Sequence, residues 1–462
     1  MATTTTTGSA SAIRPAAMTP STAIAAPVAD AQRLPIIDVL RGAALLGILL
    51  INIPFFSMPD YFSEAFRSNP ADGNFWLRAF IIVLVEGKMR ALFGMVFGAG
   101  VLLFTAKKEA LGRPVTGLFY RRMFWLLLFG VIHAHLLLWS GDILYLYAVC
   151  GMIVFLFRKV PARFLVLLVP LVAVGDFSVS TIYYRDIRST HLAYLEAVQA
   201  RDQGAVMTAD QTAALMAWRD VEKTLIPNRE DARENTRKMK GDYGTVASLV
   251  RPQAFAFQTR YLPGSVLDSV ALMLFGMALL KWEFLSGKWP RRVLRWIAWV
   301  GYGLGLPLVI YALRSSTINA PNLEASLAYM DKHPIEWVGL IYPFQRILLV
   351  MAHASILVLL FQGGWLRGLG RRLAAVGQMA FTNYITHTVL CSLIFFGYGL
   401  NRFAEMRYSE IYLVALAIWV FQLAVSPWWL RHFYFGPLEW LWRSLTYWRL
   451  QPWRRTQAVR QG

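Results

Sequence analysis

Ile36-Ile-Asp-Val-Leu-Arg-Gly-Ala-Ala-Leu-Leu-Gly-Ile-Leu-Leu-Ile-Asn52 is apolar enough to span a membrane as one helix, yet it contains an acid, an arginine and an asparagine. An Arg, Asp or Lys at the centre of a membrane helix costs about 2.5 to 3.5 kcal/mol on insertion. Such residues therefore usually face a protein interior or a wet cavity. The stretch predicts a membrane helix that does more than anchor the chain.

The polar residues of this stretch fall on one side of the predicted helix. At about 3.6 residues per turn, Arg41 and Asn52 share a face, and Asp38 lies one turn before Arg41 and can pair with it. Arg41 and Asn52 are then about 16 Å apart along the axis. Gly42 and Gly47 permit close approach by another helix. In the alternative interpretation, Asp38 and Arg41 sit at the headgroup level and Arg41 snorkels to the interface.

The composition indicates a polytopic helical membrane protein. Of 462 residues, 56% are hydrophobic and only 16% are charged, and apolar runs repeatedly approach the roughly 20 residues that span a bilayer. These runs are continuous, whereas barrel strands alternate in short segments. The formal net charge of +19 comes from Lys and Arg clustered between the apolar runs, which indicates membrane topology and argues against nucleic-acid binding. Cys150 and Cys391 lie inside apolar runs, and no cysteine spacing suggests a metal site.

The fold class predicted is all-α, a transmembrane bundle of about ten spans. The spans are placed near 36–57, 76–106, 119–139, 142–158, 163–184, 264–282, 293–313, 336–362, 373–398 and 410–430. The second run is too long for one straight span and holds Glu86, Lys88 and Arg90 around Gly87, so a broken or re-entrant helix is expected there. Because the short basic loops alternate with cation-poor ones, both termini are assigned to the cytoplasm.

These assignments divide the chain into five parts. We expect a disordered cytoplasmic N-terminus at 1–32, transmembrane halves at 33–185 and 259–430, an extracytoplasmic insertion at 186–258 and a cytoplasmic amphipathic tail at 431–462. Helical spacing of Leu, Ala and Tyr within the insertion suggests a small helical cap. The cap could shape an acceptor site or serve as a passive linker. The sequence fixes no oligomeric state.

One pair of polar residues suits proton transfer. His133 lies near the outer end of the third span, and the tight Ser140-Gly141 turn brings Asp142 back to the same level. Histidine is the natural general base for an alcohol or amine, and a carboxylate can orient it and stabilise its charged form. In the alternative, His133 donates to a helix carbonyl and Asp142 caps the next helix. The two roles of Asp142 can coexist.

Further polar residues within the predicted spans are interpreted mainly as packing or networking groups. Arg346 lies on the eighth span, where it could line the interior, and as a planar permanent cation it suits a phosphate or carboxylate. His353 and His387 are additional candidates. Thr382, Asn383 and Thr386 could bond across helices, and Glu439 and Arg443 have the spacing of a helical ion pair.

Five motifs together resemble a known bacterial family. They are Asp38-Val-Leu-Arg41-Gly-Ala-Ala-Leu-Leu-Gly-Ile-Leu-Leu-Ile-Asn52, Leu92-Phe-Gly-Met-Val-Phe-Gly-Ala-Gly100, His133 with Gly141-Asp142-Ile-Leu, Thr382-Asn383-Tyr384, and Gly436-Pro-Leu-Glu439-Trp. The chain resembles the YeiB-like membrane family, catalogued as domain of unknown function 418. That family is distantly similar to membrane acyltransferases, which include the cell-surface sugar O-acetyltransferases and the lysosomal heparan N-acetyltransferase. The shared piece is Arg41, Gly42 and Asn52.

This resemblance implies an enzyme of the bacterial inner membrane that moves an acyl group from cytosolic acyl-CoA to an envelope glycan or another small acceptor. Arg41, Asp38 and Arg346 are the candidates for binding acyl-CoA, and no metal is expected. His133, Asp142 and Asn52 are the candidates for catalysis, with Asn52 at the developing oxyanion. The heparan enzymes carry a histidine shortly after their asparagine, whereas Ile-Pro-Phe-Phe follows Asn52.

A second hypothesis is a transporter or permease for an anionic or amphiphilic envelope metabolite. Arg41 and Arg346 would then be charge partners of the substrate, and the broken second helix would be a gate. The absence of a visible internal repeat argues mildly against it. A passive membrane scaffold leaves the interior Arg, Asp and His residues unexplained.

Overall fold

The computed structural model describes residues 34–59, 69–112, 114–225, 229–365 and 367–455. The expected cytoplasmic N-terminus at 1–32 and the last seven residues of the predicted tail lie outside the described residues. Within these ranges the chain is helical, apart from an isolated bridge between Phe433 and Arg454. The predicted all-α class is confirmed.

The helices follow one another with short connections. In chain order they are α1 (Pro35–Ser57), α2 (Gly73–Leu84), α3 (Lys88–Ala110), α4 (Thr116–His135), α5 (Ile143–Val154), α6 (Ala162–Asp202), α7 (Ala209–Leu225), α8 (Arg229–Met239), α9 (Tyr243–Gln258), α10 (Leu262–Lys281), α11 (Arg291–Asn319), α12 (Leu323–Lys332), α13 (Trp337–Gln362), α14 (Arg367–Gln378), α15 (Ala380–Phe395), α16 (Tyr408–His432) and α17 (Pro437–Tyr447).

Seven stretches of the described chain are long and apolar enough to cross a membrane. They are α1, the α2–α3 unit (Gly73–Ala110), α6, α10, α11, α13 and α16. These helices indicate a membrane protein. The other predicted spans fall on α4, which carries Arg121 and Arg122, on the shorter α5, and on α14 with the shorter α15. The count of about ten spans therefore stays a prediction, as do the inner-membrane location and the cytoplasmic termini.

The expected break in the second apolar run is confirmed. α2 ends at Leu84 and α3 begins at Lys88, and Gly87 between them has a φ of 74°, which is unfavourable for any residue with a side chain. Side chains bind the carbonyl groups at the break. Lys88 Nζ donates to the Ile82 oxygen at 2.8 Å, and His353 Nε2 lies 3.0 Å from the Leu84 oxygen. The apolar run therefore tolerates an interruption.

The α1 helix is packed closely on two sides, as its glycines predicted. Gly42 lies against the backbone of α14, where the carbonyl of Leu373 and the amide of Gly377 occupy the space that a Cβ would need. Gly47 lies against the side chain of Met89, the second residue of α3. The middle of α1 therefore packs beside the interruption between α2 and α3.

The predicted insertion is helical, but its boundary at residue 185 falls inside a helix. α6 continues without interruption from Ala162 to Asp202, and α7, α8 and α9 follow. A small separate core joins Ile187 of α6, Trp218 of α7 and Met330 of α12. His191 Nδ1 lies 2.9 Å from a carboxylate oxygen of Asp331. α12, which lies outside the predicted insertion, thus packs with it. Its placement on the outer face stays a prediction.

We expect Gly42→Ala to destabilise the protein by about 1 to 3 kcal/mol, because a methyl group would overlap the backbone of α14 and force α1 away from it. The control is Gly100→Ala in α3, where a Cβ meets no heavy atom within 4 Å. Alanine is the better helix former, so this control should hold or raise stability. Thermal unfolding midpoints of the purified variants in detergent compare the two. Equal midpoints would contradict the close contact between α1 and α14.

Candidate functional site

A fully buried chain of three side chains joins α4, the start of α5 and α15. His133 Nδ1 lies 2.7 Å from Asp142 Oδ1, and His133 Nε2 lies 2.8 Å from Thr388 Oγ1. The relative exposures of the three residues are 0%, 1% and 1%. With Asp142 ionised, Nδ1 carries the proton and donates to it, and Nε2 accepts from the Thr388 hydroxyl. A carboxylate, an imidazole and a hydroxyl in this order can activate the hydroxyl oxygen.

Asp142 has both of the roles that its sequence context predicted. As the N-cap of α5 it accepts hydrogen bonds from the amides of Leu144 at 3.1 Å and Tyr145 at 2.8 Å, while it also holds His133. The expected pairing of His133 with Asp142 is present in the structure. Both ring nitrogens of His133 are bound by side chains, so the alternative bond to a helix carbonyl is not observed.

Aromatic side chains connect this buried chain to the far end of α1. The ring of Tyr384 lies edge-on to His133 at 5.1 Å, and the Tyr384 hydroxyl accepts from the Trp139 indole at 3.2 Å. Trp139 in turn stacks on Phe56 of α1 at 4.0 Å. Asn52 precedes Phe56 by one turn and is half-buried, and its side chain makes no hydrogen bond to the described residues.

The other end of α1 carries the predicted ion pair. Arg41 Nη1 donates to Asp38 Oδ1 at 2.8 Å, and it lies 3.4 Å from the carbonyl oxygen of Gly377 in α14. The Arg41 side chain keeps 26% of its exposure, so some of its donors remain accessible. Between Arg41 and Asn52, Leu45 and Leu49 are fully buried. The structure therefore does not bring Arg41 together with His133.

Arg346 belongs to a separate cluster. Both of its terminal nitrogens donate to Asp268 of α10, and Arg90 of α3 donates to the same carboxylate at 2.9 Å. Sequence reasoning missed Asp268, although an acid within a predicted span is the signal that drew attention to α1. In the described part of the chain, no three His, Cys, Asp or Glu side chains form a group that could hold a metal ion.

The polar residues of α15 mainly hold helices together, as predicted for Asn383. Its amide nitrogen donates to the Val376 carbonyl at 3.1 Å and to the Ser426 hydroxyl of α16 at 3.0 Å. His387 Nε2 lies 2.9 Å from Gln422 Oε1, also on α16. These bonds fix the orientation of α15, which carries Thr388 to the buried chain.

Glu439 has a role that its spacing from Arg443 did not predict. Its carboxylate reaches the N-terminus of α15 and accepts from the amides of Phe381 at 2.7 Å and Thr382 at 3.0 Å. The Thr382 hydroxyl also donates to it, at 2.5 Å. Burial raises the pKa of the Glu439 carboxyl, and the bonds from Thr382 and Phe381 offset part of this shift. The fourth and fifth sequence motifs therefore form one capping contact.

The fold and these buried polar groups define a helical membrane protein with ionisable clusters inside its bundle. A family model described as "Protein of unknown function (DUF418)" matches residues 279–449. The chain is 28% identical to the uncharacterized protein YxaH of Bacillus subtilis (strain 168), over 92% of this chain and 97% of the relative. It is 28% identical to the uncharacterized protein YeiB of Escherichia coli (strain K12), over 89% and 95% of the two chains.

A third relative, an uncharacterized 39.9 kDa protein in the amylase 3' region of Bacillus acidopullulyticus, is 27% identical over 92% of this chain and 97% of its own length. No solved structure matches the chain. The resemblance to YeiB and to the DUF418 family is thus supported, while the names of these relatives assign no activity. Similarity to the sugar and heparan acyltransferases stays a prediction.

We expect Glu439→Ala to lower the free energy of unfolding by about 1 to 3 kcal/mol, because the buried amides of Phe381 and Thr382 lose their acceptor. Glu439→Gln keeps one acceptor oxygen and should lose clearly less. Thermal unfolding in detergent measures the difference, and hydrogen exchange at these two amides locates it. Equal losses for Ala and Gln would show that packing, and not capping, is the main contribution of Glu439.

Proposed function

We propose that this protein is a membrane acyltransferase that moves an acyl group from acyl-CoA to a hydroxyl or amine of an envelope sugar or similar acceptor. The observation that carries the proposal is the buried Asp142–His133 pair with a hydroxyl at the proton-accepting nitrogen of His133. Such a pair serves as a general base when an acceptor oxygen or nitrogen replaces that hydroxyl.

In the proposed reaction, His133 Nε2 removes the proton of the acceptor as its oxygen or nitrogen attacks the thioester carbon. The carbon–sulfur bond then breaks, and the leaving thiolate takes the proton back from His133. Asp142 stabilises the imidazolium that exists between these steps. Because Thr388 fills the position beside Nε2, its side chain has to turn away when the acceptor binds.

The proposal assigns the two ends of α1 to different parts of the reaction. Arg41, held by Asp38, contacts a phosphate of the acyl-CoA from the end at which α1 begins. The Asn52 amide donates to the oxyanion that develops on the thioester carbonyl. Since Leu45 and Leu49 are packed between these two levels, transfer requires a movement that opens a path along α1.

A permease for an anionic or amphiphilic metabolite is the second candidate, and the break at Gly87 favours it. Gly87 packs directly against Tyr342 and Arg346, since a Cβ at this position would overlap the Tyr342 hydroxyl and lie 3.4 Å from Arg346 Cδ. A change of backbone conformation at Gly87 would therefore disturb a buried cation. Broken helices at ion or substrate sites are common in transporters. In this hypothesis Arg346 and Arg41 attract the anion, and the break opens and closes its path.

We expect His133→Ala to lower acyl transfer at least about a hundredfold, the usual contribution of a positioned base. Asp142→Asn should lower transfer as well, and it should also lower the thermal midpoint, because both carboxylate oxygens accept buried hydrogen bonds and the Asn side chain offers only one acceptor oxygen. Labelled acetyl-CoA, incubated with the protein in proteoliposomes and an envelope glycan fraction, measures transfer. His135→Ala is the matched control, since His135 lies on the same helix and bonds to Gln258 instead.

Two outcomes would contradict the acyltransferase. Wild-type protein that transfers no label would remove the function, and undiminished transfer by His133→Ala would remove the assigned base. Substrate counterflow in the same proteoliposomes without loss of acetyl from acetyl-CoA would favour the permease.

A further inference from the structure

A second polar cluster lies where α3, α10 and α13 meet, apart from the proton-transfer chain. Asp268 Oδ2 accepts from Arg90 Nη2 at 2.9 Å and from Arg346 Nη1 at 3.0 Å. Both guanidinium groups are therefore oriented by one carboxylate, and the two donor nitrogens lie within about 6 Å of each other. Tyr342 packs against Arg346, whose guanidinium carbon is 5.0 Å from the ring centre.

The cluster is buried at Arg346 and partly exposed at Arg90. Arg346 is almost completely buried, at 4%, but the Arg90 side chain is 37% exposed. Asp268 follows the start of α10 by six residues and Arg346 follows the start of α13 by nine, or about 9 and 13 Å along the helix axes. Because a charged group within a membrane span rarely faces hydrocarbon, the exposed part of Arg90 is the side from which we expect a polar ligand to reach the cluster.

Positive charge and unused donors remain at this place. Lys88, Arg90 and Arg346 outnumber the two carboxylates nearby, Asp268 and the exposed Glu86. The Nε of Arg346 is buried and has no hydrogen-bond partner among the described residues. Arg90 bonds Asp268 through a single nitrogen, and its other N–H groups make no hydrogen bond to the described residues. A buried donor without a partner is costly, and an anion would satisfy it.

We infer that Arg90 and Arg346, held by Asp268, bind the phosphate group of a ligand at the exposed side of this cluster. A phosphate offers three acceptor oxygens and suits the planar donor sets of two arginines. Because Arg90 Nη2 and Arg346 Nη1 meet at one carboxylate oxygen, the two guanidinium groups are near enough for their remaining N–H groups to bond one phosphate. The phosphate belongs either to a water-soluble phosphate ester or to a phospholipid that enters from the bilayer. The inference is independent of acyl transfer, since it concerns binding alone.

The test of this inference measures binding of sn-glycerol 3-phosphate to the full chain in phosphatidylcholine nanodiscs. Binding is followed by calorimetric titration and by the shift in the thermal unfolding midpoint, and glycerol is the uncharged control. A second arm replaces part of the phosphatidylcholine with phosphatidic acid and counts bound lipid by native mass spectrometry. We expect Arg90→Gln to weaken binding at least tenfold and Arg90→Lys to weaken it less. Arg260→Gln, just before α10, removes an exposed arginine as the control and should bind like wild type.

Each outcome decides a part of the inference. A midpoint raised by glycerol 3-phosphate but not by glycerol, and lost in Arg90→Gln, supports a soluble phosphate ester. Retention of phosphatidic acid alone, with the same dependence on Arg90, supports a lipid. Wild-type protein that binds neither probe overturns the inference even if Arg90→Gln fails to fold, and equal binding by wild type and Arg90→Gln overturns it as well. Loss of acyl transfer with intact phosphate binding would count against the proposed function only.

Discussion

A charge inside an apolar helix bundle is stable only when another group of the protein satisfies it, because the surrounding medium does so poorly. This constraint shapes much of the structure. Asp268 balances Arg346, Asp38 pairs with Arg41, and Asp142 binds His133. Each of these contacts requires a defined distance between helices or turns. The ion pairs and hydrogen bonds therefore favour one packing of the helices, and that packing in turn brings the paired groups together.

The same constraint applies to backbone groups wherever a helix is interrupted. At the break before α3, the side chains of Lys88 and His353 take the place of the missing helical bonds. At the N-terminus of α15, the free amides of Phe381 and Thr382 donate to Glu439, which lies on α17. These side chains let the chain change direction inside an apolar environment. Backbone that is not helical can therefore lie beside the polar side chains of the bundle. A few polar side chains thus stabilise the points at which helices begin or end inside the bundle.

Local patterns predicted the features that depend on neighbouring residues. The Asp38–Arg41 pair, the break at Gly87 and the approach of His133 to Asp142 all follow from spacing within one helix or one tight turn. Thr388 and Asp268 could not be assigned their partners in this way, because the contacting residues are 255 and 178 positions apart in sequence. Such partners follow from the order in which helices pack, which composition and periodicity do not specify. The predicted boundary at 185 falls within α6, where the polarity of the sequence changes while the helix continues, and it stays a prediction.

Three of the polar groups in the described residues differ in their exposure. Arg41 at the start of α1 is partly exposed, the Arg90–Asp268–Arg346 cluster is exposed only at Arg90, and the His133 chain is closed. Tyr147 links the last two, since it lies on α5 five residues after Asp142 and its hydroxyl is 3.4 Å from the Arg90 carbonyl oxygen. The packing of α5 on α3 therefore sets the spacing between the arginine cluster and the His133 chain. The closed chain and the partly exposed cluster therefore differ in what can reach them, although one tyrosine connects the two.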